Sequence, residues 1–101
     1  MIVRLTYFVF SPEKIEDLKK FYYEEAVPAV KGQKGNLECK LLEPVNQGDD
    51  YISMTTWDNQ QDADAYHSGG VYKQLVEKVR QYFTKEPVLR IYHAEDVMEH
   101  A

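Results

Sequence analysis

The apolar spacing of this chain switches between a period of two and a helical period in the order β-α-β-β-α-β, and few folds accept that order within 101 residues. Ile2 to Phe10 is dense in β-branched and aromatic residues, as a strand requires. Ser11-Pro12-Glu13 supplies a cap, a first-turn proline and an acidic group at the positive end of the dipole, so a helix starts there. Its apolar stripe is Ile15, Leu18, Tyr22, Ala26 and Ala29. Pro28 kinks or closes it, and Gly32 and Gly35 mark the turn out. Leu37 to Glu43 alternates as a second strand, Pro44 to Asp50 reads as a hairpin loop, and Tyr51 to Trp57 forms a third strand. Asp58 and Gln61 have capping-box spacing for a short helix reaching about His67. Ser68-Gly69-Gly70 interrupts it, with Ser68 able to cap the next segment, whose stripe is Val71, Leu75, Val79 and Phe83. Pro87 ends that helix and Val88 to Ala94 is the last strand.

Right-handed crossovers turn this order into a ferredoxin-like α+β fold, a four-stranded antiparallel sheet with both helices on one face. The other face is left bare. Both faces of strand one are apolar; Val3, Leu5, Tyr7 and Val9 are expected under the helices. Arg4, Thr6 and Phe8 are expected on the bare face with Lys40, Leu42, Arg90 and Tyr92, and Arg4 is expected to pair with Glu38 there. Such a mixed surface suits packing on its own copy, so the expected assembly is a homodimer closing a dimeric α+β barrel. The length predicts one domain over residues 1–101. A 13% aromatic content with eight Tyr suits half-wet pockets and subunit interfaces.

A net charge of −5 without clustered Lys or Arg excludes nucleic acid as a partner. No segment reads as long and apolar enough for a membrane span, and a secretion signal is not expected from the first residues. Cys39 is the only cysteine, reads as core, and permits no internal disulfide; a cytoplasmic location is expected. The acidic tail from Glu95 is expected to fray or to serve an interface. His67, His93, His100 and Cys39 lack metal-ligand spacing, and no phosphate loop or dinucleotide fingerprint follows strand one. Neither metal nor cofactor is expected.

Trp57, Tyr66, His67 and Tyr72 should gather near the end of strand three. Trp57 is either a core plug under the second helix or a wall on which a planar ring stacks. His67 is either an exposed, helix-capping residue or a base that takes a phenolic proton. Tyr66 and Tyr72 flank the break and either pack or hydrogen-bond a substrate. Tyr7 either lines the pocket floor or packs in the core, and His93 reads as a satisfied core histidine.

The aromatic first strand, the KKFYYEEAVP helix, the glycine entering strand two, and strand three ending in Trp57 form a recognisable set. With the split DNQQDADAYHSGGVYKQL segment, they resemble the antibiotic biosynthesis monooxygenase superfamily of dimeric α+β barrels. The resemblance implies a monooxygenase without metal or flavin, acting on a small phenolic or quinol-like aromatic compound. His67 would be its base, and Trp57, Tyr66, Tyr72 and Tyr7 would surround the ring. A non-catalytic small-molecule-binding dimer is the alternative. The superfamily also contains haem-degrading enzymes, but where these place a haem-ligand His this chain has Val76. Their pocket Asn and second Trp fall at Leu5 and Tyr66, so haem degradation is not expected.

Overall fold

Four strands, β1 (Ile2–Phe8), β2 (Asn36–Leu42), β3 (Tyr51–Trp57) and β4 (Val88–His93), pair antiparallel throughout in the order β2-β3-β1-β4. Helical segments α1 (Ile15–Phe21), α2 (Val27–Lys31), α3 (Gln60–His67) and α4 (Gly70–Val79) connect them, giving the ferredoxin-like α+β fold. The structure, a computed structural model, describes residues 1–95. The tail beyond Glu95, for which fraying or an interface was expected, lies outside the described residues. Among these residues no helix is long and apolar enough to cross a membrane.

The face of β1 is the main correction. Trp57 is fully buried under the helices, and it lies opposite Ile2; in the same register Arg4 faces Thr55, Thr6 faces Ser53 and Phe8 faces Tyr51. Cross-strand partners share a face, and strand side chains alternate, so this choice settles every position. Arg4, Thr6 and Phe8 therefore lie under the helices, while Val3, Leu5 and Tyr7 occupy the bare face. Because both faces of β1 carry apolar groups, only the neighbouring Trp decides between them. The expected Arg4–Glu38 pair does not form; Glu38 instead meets Lys40 at 3.6 Å.

The bare face is three rows wide. Leu42, Ile52, Tyr7 and Val88 form one row, Lys40, Met54, Leu5 and Arg90 the next, and Glu38, Thr56, Val3 and Tyr92 the third. The first row is wholly apolar, and Leu42, Val88 and Tyr92 are large hydrophobes left in contact with solvent. Lys40, Leu42, Arg90 and Tyr92 thus stand where the alternation put them.

The first helix is not one regular element. A π-turn, Tyr22–Ala26, separates α1 from α2. Pro28 has no N–H for the carbonyl of Glu24 and its ring crowds that carbonyl, so the regular ladder cannot pass and the backbone widens ahead of it. The π-turn sets Tyr22 onto the sheet: its hydroxyl lies 2.8 Å from Ser53 Oγ and donates to the Lys40 carbonyl at 3.0 Å. Gly35 then enters β2 at φ 81°, and a β-carbon there would collide with Asp62. Its carbonyl accepts from Asp58 N at 2.8 Å, tying this turn to the start of α3.

Caps differ from expectation by one residue. Asn59, not Asp58, caps α3, its side chain accepting from Asp62 N at 2.8 Å. Ser68 closes α3 by donating to the Asp64 carbonyl at 2.9 Å, and Gly69 takes the N-cap position of α4. Helix α4 stops at Val79 and a 3₁₀ turn follows, so Phe83 lies beyond it and bridges Phe10.

Candidate functional site

A cavity of about 210 Å³ lies between the sheet and the helices. Its floor is Arg4, Thr6 and Phe8 of β1, Ser53 and Thr55 of β3, Cys39 of β2 and Leu89 of β4. Its roof is Tyr66 of α3 with Tyr72, Leu75, Val76 and Val79 of α4, and the π-turn closes one flank through Tyr22 and Ala26. Phe21 of α1, Val30 of α2, Phe83, Pro87 and the exposed Arg80 and Glu86 complete the lining. The mouth therefore lies at the Phe8 end of β1, and Arg4 stands at the inner end.

Arg4 is 4% exposed. Its Nη2 donates to His67 Nδ1 at 2.8 Å and its Nη1 to the Ala63 carbonyl at 3.5 Å. The guanidinium carbon also sits 5.3 and 5.0 Å from the ring centres of Tyr66 and Tyr72, within cation–π range. Among the described residues no carboxylate pairs with it.

A guanidinium cannot accept a hydrogen bond, so His67 Nδ1 is the acceptor and the ring hydrogen is assigned to Nε2. His67 is exposed and is absent from the cavity wall. Its assignment as the base is corrected on both counts: the Nδ1 lone pair is engaged by Arg4, and the remaining nitrogen is a donor. Its ring, 4.8 Å from that of Tyr72, holds the outer side of Arg4 instead.

Trp57 also stands behind the cavity rather than in its wall. Its Nε1 donates to Thr55 Oγ1 at 3.0 Å and its ring stacks on Tyr66 at 4.8 Å and 26°. It acts as a core plug that fixes Tyr66. Tyr66 and Tyr72 do line the cavity, meeting edge to face at 5.2 Å. Tyr7 does not: the inverted face of β1 carries it to the other side of the sheet. His93 has the helix-side parity expected of it but is exposed at the sheet edge.

Burial pushes the Tyr66 phenol above its ordinary value, against a smaller downward pull from Arg4. It raises Tyr22 as well, reinforced by Cys39, and it raises the Cys39 thiol against the hydrogen bond from Tyr22. All three therefore stay protonated near neutrality and act as donors, not bases. Arg4, Tyr22, Ser53 and Thr55 were missed as site residues. One signal was available: Arg4 is the only charged residue in β1, and Ser53 and Thr55 share the parity of Trp57.

Among the described residues no three His, Cys, Asp or Glu side chains gather as metal ligands. Val76 lines the cavity and has no atom to offer an iron. The cavity is also smaller than the roughly 300–1,000 Å³ usual for larger organic ligands. Haem does not fit the site as it stands.

The family model described as antibiotic biosynthesis monooxygenase matches residues 1–78. No curated protein matches the chain. Among solved structures, one from Deinococcus radiodurans named for antibiotic biosynthesis monooxygenase superposes with a TM-score of 0.84 at 15% identity, covering 100% of this chain and 99% of its own. Rv0793 from Mycobacterium tuberculosis gives 0.79 at 12%, covering 97% and 98%. A variant of MhuD with two manganese protoporphyrin IX molecules bound per active site gives 0.78 at 21%, covering 98% and 100%. At such identities the structures speak for the fold, and the sequence match speaks for the lineage: the chain belongs to the antibiotic biosynthesis monooxygenase family.

Proposed function

We propose that this protein binds a single-ring phenol or hydroquinone in the cavity between sheet and helices, and oxygenates it without metal or flavin. The observation that carries the reading is the cavity itself, apolar towards the Phe8 end and lined at the other by Tyr66, Tyr72, Thr55 and Arg4. An apolar cavity of about 150 Å³ takes benzene, so about 210 Å³ suits one substituted ring. The family's name supports the reaction type.

The reaction needs no external reductant. The phenolic proton passes to water at the mouth, where Glu86 is the only carboxylate among the described lining residues. The ring anion gives one electron to dioxygen, and the radical pair joins as a ring hydroperoxide. Loss of water leaves a carbonyl, so hydroquinone and dioxygen become hydroxyquinone and water. The protein's share is to hold the ring, exclude bulk water and stabilise the anion. An oxygen electrode with a hydroquinone panel tests this: one dioxygen should disappear per ring, faster than autoxidation.

A second reading, a non-catalytic binding protein with the same cavity, is favoured by one observation. The inner wall presents protonated donors, and among the described residues no free base stands beside them. Binding of the same rings without oxygen uptake would select this reading.

We further propose that two copies join through their bare sheet faces, since contiguous exposed apolar rows mark interaction surfaces. The Leu42, Ile52, Tyr7 and Val88 row supplies the contact. An unpaired Cys39 accords with work in the cytosol. Light scattering should return twice the mass of one chain.

A further inference from the structure

The feature left over from this reading is a buried positive charge with no negative partner among the described residues. Ionised groups taken out of water are ordinarily paired, because an isolated buried charge is costly. Arg4 is 4% exposed, and the groups the structure places around it are one imidazole nitrogen, one carbonyl and two aromatic faces. All of these are neutral. A guanidinium has five N–H donors in a planar fork, and two are engaged. The rest belong to a side chain that lines the cavity. Beside it Thr55 Oγ1 accepts from Trp57, which leaves its own hydrogen to donate. The inner end is thus a cluster of donors with a net charge, carried by residues of the cavity wall.

We infer that Arg4 is the receptor for an anionic oxygen on the aromatic ligand, a carboxylate or a phenolate, and that the cavity selects such rings over their neutral isosteres. His67 is the positioning residue: by accepting from Nη2 it turns the fork so that its remaining edge meets the ligand. Tyr66 and Tyr72 flank the guanidinium by cation–π contact, which holds it without neutralising it. This rests on the cavity being a ligand site, and the arms below separate failure of that reading from failure of this one.

The first arm is calorimetry of the wild-type protein with 4-hydroxybenzoate and with its neutral isostere 4-hydroxybenzamide. The carboxylate should bind about tenfold tighter or more, as expected for a charge-assisted bond in a dry site. The second arm follows the absorbance of bound 4-nitrophenol across pH. A cation within contact should lower the pH at which it ionises by about one to three units relative to free 4-nitrophenol. Arg4→Gln should abolish both effects, and Arg4→Lys, which keeps charge without the fork, should retain part of each. A preference for the carboxylate alone names that source of the anion; ionisation of the nitrophenol at a lower pH alone names the phenolate. Equal affinity for both benzoate analogues, with nitrophenol ionising at or above its free value, overturns the inference while leaving the ligand site intact. If none of the probes binds, the reading of the cavity falls with it. Both arms use the wild type, so a poorly folding Arg4 variant does not remove the test.

Discussion

Replacing Trp57 by phenylalanine is expected to weaken the fold more than it weakens ligand binding. The indole is fully buried, stacked on Tyr66 and bonded to Thr55 Oγ1. Phenylalanine keeps the stack but cannot donate, so the Thr55 hydroxyl loses its partner at a cost of about 1 kcal/mol. The part of the indole that disappears leaves a void worth roughly a further 1–2 kcal/mol. Together these remove about 2–3 kcal/mol, which for a chain of this size lowers the melting temperature by about 8–24 °C. Trp57 does not line the cavity, but both of its partners do, so the affinity for a bound phenol should fall by less than about tenfold once the protein is folded. Urea denaturation and calorimetry on the same preparation measure the two quantities. A variant as stable as wild type that binds tenfold more weakly would show Trp57 to be a ligand wall, contradicting its place behind Tyr66.

Three other outcomes are expected. Gly35→Ala should lose about 1–3 kcal/mol in urea titration, because the positive φ and the Asp62 contact both oppose a β-carbon; Gly48→Ala, at φ 97° but in open space, should lose less. Met54→Lys puts a charge at the centre of the bare face and should convert a dimer to monomers by light scattering, with ligand binding retained. Burial raises Tyr22, Tyr66 and Cys39, so the unfolded chain ionises first. Stability is therefore full below pH 9.0, the thiol's ordinary value, and falls as pH rises past it and then past 10.0, the phenols' value. Melting temperatures that hold steady from pH 8 to 11 would contradict the burial of these groups.

The order of elements was readable because local signals agreed: a β-branched and aromatic run in β1, alternation in β2, Ser-Pro-Glu before the first helix, and a Gly-Gly break between α3 and α4. Strand β3 ran exactly from Tyr51 to Trp57, since a polar loop and a capping sequence bound it tightly. The face of β1 was not readable from β1 alone. Ile2, Phe8 and Val3, Leu5, Tyr7 are equally apolar, and only pairing with Trp57 chooses between them. That single inversion moved Arg4 from a presumed surface pair into the site and moved Tyr7 out of it. The π-turn was half visible: Pro28 announced a disturbance, but whether a helix ends or widens there depends on what Tyr22 packs against. The contact of His67 was not readable at all, because it is made with Arg4, a residue 63 positions earlier that reaches Nδ1 only through the β1 register.

The central claim is that a small aromatic ring enters between sheet and helices, with Arg4 at its inner end. Methyl NMR on the protein titrated with 4-hydroxybenzoate tests it most directly. The account predicts saturable shifts at Leu75, Val76, Val79 and Leu89, which line the cavity, and none at Val3, Leu5, Leu42 and Ile52 on the opposite face. Shifts confined to that opposite face, or no shifts at saturating ligand, would contradict it.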